Sequence, residues 1–256
     1  MDLRFTFNEV TEEYEKWRPI YVPQLFADIM DFSRINQDSR ALEIGIGTGQ
    51  ATLPILKTGC HITAVELGGN LAKYSKKKFE AYKNIEVKNM AFEDYECPEN
   101  SLDLVYSATA FHWIPDEIGY PKVYKLLKSG GTFAWFRNNP GRDKENEPLH
   151  AAMQKVYSKY MPQVGEPVEI NEGKCIEISN TIKKYGYVDV NYKMYYGTRT
   201  YSAENYVSLI GTYSDYLAMK EEQRVLFSNE MKETINSFGG KINVYDTINL
   251  HLARKP

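Results

Sequence analysis

Over its first 140 residues the chain alternates short apolar runs with stretches whose apolar positions recur every three to four residues. The segments 41–44, 61–66, 85–87, 101–107 and 131–137 are brief and nearly continuously apolar, the pattern of strands buried on both faces. Between them, 22–32, 50–57, 70–82 and 117–127 carry helical spacing, and the last runs into Ser129-Gly130-Gly131, a sequence suited to a C-cap. Strands alternating with helices predict right-handed crossovers and a parallel sheet covered on both faces. After Asn138 the pattern loosens. Segment 138–148 reads as a loop, 149–160 as a helix, 162–167 as a breaker cluster and 187–196 as a sixth strand rich in tyrosine and valine. Two helical stretches follow at 203–219 and 221–238, and 241–252 alternates cleanly as the last strand. No internal repeat or low-complexity segment is present. The stretches 138–186 and 197–240 interrupt the sheet and predict a cap over its active edge.

The join between the first strand and the following helix is Glu43-Ile44-Gly45-Ile46-Gly47-Thr48-Gly49-Gln50. A glycine turn there brings backbone close to a ligand at the helix N-terminus. The spacing is G-x-G-x-G, and the dinucleotide fingerprint would require glycine or alanine where Gln50 stands. Glu43, at the strand's end, suits a ligand carrying positive charge or an ammonium group better than a pyrophosphate. A second acid, Glu66, closes the second strand 21 positions after Gly45. A carboxylate about 20 residues beyond such a turn accepts hydrogen bonds from a ribose diol. Glu66 therefore supports an adenosine site, and Gln50 and Glu43 choose among adenosine ligands. The glycine turn with its leading acid resembles motif I of the class I S-adenosylmethionine-dependent methyltransferases, whose cofactor carries a sulfonium and an α-amino group.

Composition narrows the class further. The 31 basic and 34 acidic residues of the 256 leave a net charge of −3 without a long basic run, so nothing argues for a nucleic-acid footprint. Lys73, Lys76, Lys77 and Lys78 read as a solvated helix face. Cys60, Cys97 and Cys175 are scattered, with no C-x-x-C, so neither a disulfide framework nor a metal site is expected. No stretch approaches the roughly 18 uncharged residues of a membrane span, and the N-terminus lacks an apolar leader, so a cytoplasmic protein that does not engage membranes is expected.

Further segments extend the resemblance. Asn89-Met90-Ala91-Phe92-Glu93-Asp94-Tyr95, Ser101-Leu102-Asp103-Leu104-Val105 and Ala110-Phe111-His112-Trp113-Ile114 are similar to later motifs of small-molecule methyltransferases, most of all the trans-aconitate-methyltransferase-like enzymes. Tyr14-Glu15-Lys16-Trp17-Arg18-Pro19-Ile20-Tyr21 is similar to their tyrosine/Arg-Pro segment, which closes over the cofactor. The resemblance covers about 1–140 and extends more weakly through Tyr201-Ser202-Ala203-Glu204 and Thr212-Tyr213-Ser214. It implies an α/β, Rossmann-like fold: a seven-stranded, mostly parallel sheet with helices on both faces, an antiparallel last strand and helical cap insertions. It also implies a single methyltransferase domain over 1–256: a cofactor-binding core at 1–140, cap insertions at 141–186 and 197–240, and closing strands at 187–196 and 241–253.

For the site, the resemblance places the methionine moiety of S-adenosyl-L-methionine on the turn of Gly45, Gly47 and Gly49, with Glu43 at its base. Glu66 and Leu67 then meet the ribose, Ala91 and Phe92 flank the adenine, and Ser107 faces the methionyl end. Tyr14 and Arg18 contact or cover the cofactor's carboxylate. Many relatives have aspartate where Ala91 stands, so the adenine contact falls to Glu93, backbone or water.

Methyl transfer from a sulfonium is an in-line displacement governed mainly by approximation. A base is needed only where the accepting atom loses a proton. His112 is the best-placed candidate, although a lone histidine between Phe111 and Trp113 is more often a packed, hydrogen-bonded residue. Trp113 is a candidate to shield the sulfonium or stack on substrate, with core packing as the alternative. Arg137 is a candidate for a substrate carboxylate, with an ordinary surface role as an equal alternative. Of the 20 tyrosines, Tyr195, Tyr196, Tyr201, Tyr206, Tyr213 and Tyr216 lie in the expected cap region and line a pocket or form an aromatic core. The expected partner is a small molecule, and the chain is expected as a monomer or homodimer. Two other readings stand beside methyl transfer: a protein that senses or modifies the cofactor, and an NAD-dependent oxidoreductase, which Gln50 disfavours.

Overall fold

A computed structural model describes residues 9–165 and 168–256. Its seven strands are β1 (Arg40–Ile44), β2 (His61–Glu66), β3 (Ile85–Asn89), β4 (Leu102–Ala108), β5 (Leu127–Gly141), β6 (Val188–Ser202) and β7 (Lys241–Arg254). They form one mixed sheet in the order β3-β2-β1-β4-β5-β7-β6. Six strands run parallel and β7 runs antiparallel, as expected from the sequence. The register sets Ile44 beside both Val65 and Ser107, and Glu66 beside Asn89. The ends of β1, β2, β3 and β4 thus line up along one carboxyl edge. The strand order reverses between β1 and β4, the switch point at which open α/β sheets bind ligands.

The helices are α1 (Thr11–Trp17), α2 (Pro23–Ser33), α3 (Thr52–Leu56), α4 (Gly69–Lys78), α5 (Asp116–Leu126), α6 (Glu147–Tyr160), α7 (Glu172–Lys184), α8 (Ala203–Ile210), α9 (Ser214–Leu217) and α10 (Glu221–Ser237). Alternation along the central strands separates two cores. Leu104, Tyr106, Ala134 and Phe136 face one side, with Leu25 and Ile29 of α2 and Ile55 of α3. Val105, Phe133 and Trp135 face the other, with Tyr120 and Val123 of α5 and Ile182 of α7. Helices on both faces follow from this two-sided burial.

The chain forms two compact units. One holds Pro19–Asn138, Ile170–Tyr195 and Ile248–Pro256, and so most of the sheet. The other comprises the described residues up to Arg18 and those within Asn139–Glu169 and Tyr196–Thr247. Its own core joins Leu149, Met153 and Val156 of α6 to Tyr206 of α8 and to Phe227, Met231 and Ile235 of α10. The stretch expected as the first cap insertion is therefore divided, with α7 in the sheet-bearing unit.

Several elements differ from the expected ones. The 117–127 helix ends at Leu126, and Ser129–Gly131 lie inside β5 rather than capping it. Gly130 donates to Lys255 O at 2.8 Å and Lys255 donates to Gly131 O at 3.0 Å, so β7 captures the segment. The 203–219 stretch breaks into α8 and α9 around Gly211. Helix α7, capped by Asn171 accepting from the Lys174 N–H, had no counterpart in the expected elements.

Candidate active site

Strand β1 carries, one residue before its end, a carboxylate that the fold buries. Glu43 is 1% exposed, and its Oε2 accepts from Thr52 Oγ1 and from the Tyr106 hydroxyl, both at 2.8 Å. Burial pushes the Glu43 carboxyl up to about 7, against those two hydrogen bonds, and nearby Glu66 adds to the rise. The Tyr106 hydroxyl is in turn held well above its ordinary range by burial and by Glu43.

The turn after β1 has positive φ at each of its glycines: 71° at Gly45, 57° at Gly47 and 85° at Gly49. Two of these positions are also closed by protein. A Cβ on Gly45 would stand 2.4 Å from Ala110 Cβ, and one on Gly49 would stand 2.4 Å from the Phe79 ring. Glycine is required there by the chain's own packing as well as by any ligand. Gly45 N–H donates to Val65 O at 2.9 Å, tying the turn to β2. Gln50 bonds to Thr48 Oγ1 at 2.6 Å, Ser75 donates to Gly47 O at 2.5 Å and Lys78 donates to Thr48 O at 2.9 Å. Lys78, expected on a solvated face, therefore also braces the turn.

Glu66 is 8% exposed and clamps the same turn. Its Oε2 accepts from the Gly47 N–H at 2.8 Å and its Oε1 from the Gly68 N–H at 2.9 Å. Burial raises its carboxyl above the ordinary value, and backbone bonds from Gly68, Gly47 and Leu67 oppose the rise. A carboxylate offers about four lone-pair sites, so acceptor capacity remains beyond these bonds. Leu67 follows, its carbonyl accepting from Asn89 Nδ2 at 3.0 Å.

The remaining expected residues are distributed unevenly. Ala91 is half-buried beyond β3, but the Phe92 ring is packed in the core and lies beneath Lys122. Ser107 is fully buried and donates to Ile44 O at 2.9 Å, pinning β4 to β1. His112 is exposed on a short 3-10 turn, Phe111–Trp113, with its ring 5.2 Å from that of half-buried Trp113. Arg137, half-buried at the end of β5, has its guanidinium value lowered by desolvation. Tyr14 and Arg18 belong to the other unit. There Arg18 donates to Thr212 O at 2.6 Å and lies over the rings of Tyr213 and Tyr14, at 4.5 and 4.8 Å. In that unit Arg199 also pairs with Asp246 and donates to Tyr201.

One feature of the edge has no signal in the sequence. Thr109, just past β4, takes φ 54°, an uncommon conformation for a β-branched residue. Its Oγ1 is bonded to the Tyr21 hydroxyl at 2.7 Å and accepts from the Asn138 N–H at 3.2 Å.

Among the described residues, no group of three or more His, Cys, Asp or Glu is placed to hold a metal ion, and no helix is long and apolar enough to cross a membrane. What the edge offers is two buried carboxylates around a glycine turn, and among the described residues neither forms an ion pair with a basic side chain.

Residues 42–135 match the family model described as a methyltransferase domain, a span containing both acids and the turn. An uncharacterized methyltransferase of Schizosaccharomyces pombe is 26% identical over 233 residues, covering 91% of this chain and 88% of that protein. The sterol 24-C-methyltransferase of Saccharomyces cerevisiae is 32% identical over 126 residues, 45% of this chain and 32% of that one. Among solved structures, phosphoethanolamine N-methyltransferase 2 of Haemonchus contortus, in complex with S-adenosyl-L-methionine, superposes with a TM-score of 0.56. The identity is 18%, over 97% of this chain and 57% of that one, a likeness of fold.

Proposed function

From the premise that the chain is a class I S-adenosylmethionine-dependent methyltransferase, we propose that it methylates a small, carboxylate-bearing metabolite, with the cofactor seated on the turn between Glu43 and Glu66. The observation that carries the placement is the pair of buried carboxylates, Glu43 and Glu66, at 1% and 8% exposure, around a turn of positive-φ glycines. Two acids without a resident cation suit a ligand bringing a sulfonium and an ammonium group. Uncompensated burial of charge is costly, and a cationic ligand relieves it. Glu66, at the tip of β2 with acceptor capacity beyond its backbone bonds, is assigned to the ribose diol. The resemblance supports flanking of the adenine by the Ala91 segment and a place for Ser107 at the methionyl end. Because the Phe92 ring is packed in the core, its backbone, not its ring, is assigned to the adenine.

When bound, the cofactor supplies an electrophilic methyl group on sulfur, and the acceptor's lone pair displaces a neutral thioether. The chain's task is to align the two and exclude water. Where the accepting atom carries a proton, His112 is assigned to remove it, and Trp113 to shield the reacting centre. Arg137, half-buried at the end of β5, is assigned to the acceptor's carboxylate, which a planar guanidinium binds bidentately. The resemblance to trans-aconitate-methyltransferase-like enzymes supports an acceptor of this kind. It equally supports Tyr14 and Arg18 as covering residues and a cytoplasmic monomer or homodimer without nucleic-acid partners.

The test is transfer of labelled methyl from S-adenosylmethionine across a panel of small carboxylic acids and their neutral amides. Turnover of acids but not amides, with Arg137→Gln raising KM for the acid, is the expected result. Turnover confined to uncharged acceptors would overturn the assignment of the acceptor.

A further inference from the structure

Thr109 occupies a left-handed conformation that a threonine adopts only under constraint, and the constraint is identifiable. Its N–H donates to Phe136 O at 2.8 Å, its Oγ1 accepts from the Asn138 N–H at 3.2 Å, and the same Oγ1 is bonded to the Tyr21 hydroxyl at 2.7 Å. Tyr21 is itself fixed. It lies just before α2, with its ring edge-on to Phe136 at 4.9 Å and to Phe26 at 6.3 Å. Packing therefore delivers the hydroxyl to Thr109 at a set position.

The consequence reaches the glycine turn through the next residue. Ala110 Cβ occupies the place beside Gly45, 2.4 Å from where a Cβ on that glycine would stand. The loop after β4 thus lies against the turn after β1, and the backbone at Thr109 decides whether it can. In its preferred negative-φ regions Thr109 would redirect Ala110 away from Gly45.

We propose that Tyr21 and Thr109 form a latch that holds the loop after β4 against the glycine turn, and that both are positioning residues for cofactor binding. Backbone strain held by surrounding bonds is concentrated at ligand sites, and this strained residue adjoins the turn. The Tyr21 hydroxyl and the Thr109 hydroxyl act as one unit: losing either releases the same backbone.

The inference rests on the reading of the glycine turn as the cofactor site. The experiment is calorimetric titration of S-adenosylhomocysteine into the full chain carrying Tyr21→Phe, Thr109→Val, both together, or Thr109→Ser. Tyr21→Phe should weaken binding about tenfold, near the net worth of one buried hydrogen bond, and Thr109→Val at least as much, because it also removes the acceptor of the Asn138 N–H. The double variant should be little worse than Thr109→Val alone, because Tyr21→Phe removes only a bond that Thr109→Val has already removed. Thr109→Ser keeps the hydroxyl and should bind within about twofold of the parent chain. A merely structural role would not give this pattern of serine rescue with non-additivity in affinity. Unchanged binding in either single, equal weakening in Thr109→Ser and Thr109→Val, or additive losses in the double would each overturn the latch. If Tyr21→Phe does not fold, the serine–valine comparison at Thr109 decides alone. Gly47→Val separates the two claims: normal binding in that variant overturns the placement of the cofactor, whereas lost binding with unchanged Tyr21→Phe overturns the latch only.

Discussion

Replacing Glu66 with alanine removes one carboxylate that serves the protein and, on this account, the cofactor. In the protein it accepts the Gly47 and Gly68 N–H groups at 2.8 and 2.9 Å. Each such bond to a charged group is worth about 1.5–3 kcal/mol, and the raised value of the carboxyl shows that burial of its charge offsets part of that. A net loss of about 2 kcal/mol of stability follows, or about 4–8 °C in melting temperature for a chain of this size. Losing both diol contacts removes on the order of 2–4 kcal/mol of affinity, roughly 30- to 1000-fold in dissociation constant. Calorimetry with S-adenosylhomocysteine and with its 2′,3′-dideoxy analogue separates the roles. The analogue should lose only the part transmitted through the loosened turn, so its loss should be distinctly smaller. Equal losses for the two ligands would show that Glu66 acts solely by holding Gly47. Unchanged stability and unchanged affinity together would refute both roles.

Two further outcomes are expected. Gly45→Ala places a Cβ 2.4 Å from Ala110 Cβ at φ 71°, and should lower the denaturant midpoint by the equivalent of about 2–4 kcal/mol; an unmoved midpoint would contradict the packing described. His251 is fully buried, stacked on Trp135 and bonded to Ser179 Oγ at 3.3 Å, and desolvation holds it down at about 4. Burial favours its neutral form over its charged form in the folded chain. Its contribution is therefore complete above the unfolded value of 6.5 and is lost as pH falls toward 4, at most about 3 kcal/mol. Glu43, raised to about 7, acts oppositely: its contribution is complete below 4.5 and is lost as pH rises through 7. The comparison of His251→Phe with the parent chain isolates the histidine, and the variant should lose the slope between pH 4 and 6.5; an unaltered slope would contradict the assignment.

The sheet was legible because strands buried on both faces are mostly apolar, as 41–44 and 61–66 are apart from Glu43, His61, Thr63 and Glu66, and because glycines follow the first of them where the backbone turns. The acids were legible for a complementary reason: Glu43 and Glu66 close apolar runs where packing alone would not place charge. Helix α7 was hidden because its buried face is Cys175, Ser179 and Ile182, only one of them large and aliphatic, while Ile176 faces solvent. The extension of β6 to Ser202 and of β5 to Gly141 was hidden by Gly197, Asn138, Asn139 and Pro140, which read as turn residues but are held by pairing with β7. The left-handed backbone at Thr109 left no trace at all, since what enforces it is a tyrosine 88 positions away. The Glu66 clamp was invisible for the same reason: its partners are backbone N–H groups, which every sequence has.

The most direct test of the account is calorimetric titration of S-adenosylhomocysteine into Gly47→Val, with circular dichroism confirming that the variant is folded. Gly47 takes φ 57° between Glu43 and Glu66, a conformation that resists a β-branched residue, and a side chain there would fill the space assigned to the ligand. The account predicts a folded variant with no measurable heat of binding at concentrations that saturate the parent chain. A folded variant that binds with the parent's affinity would show that the cofactor sits elsewhere.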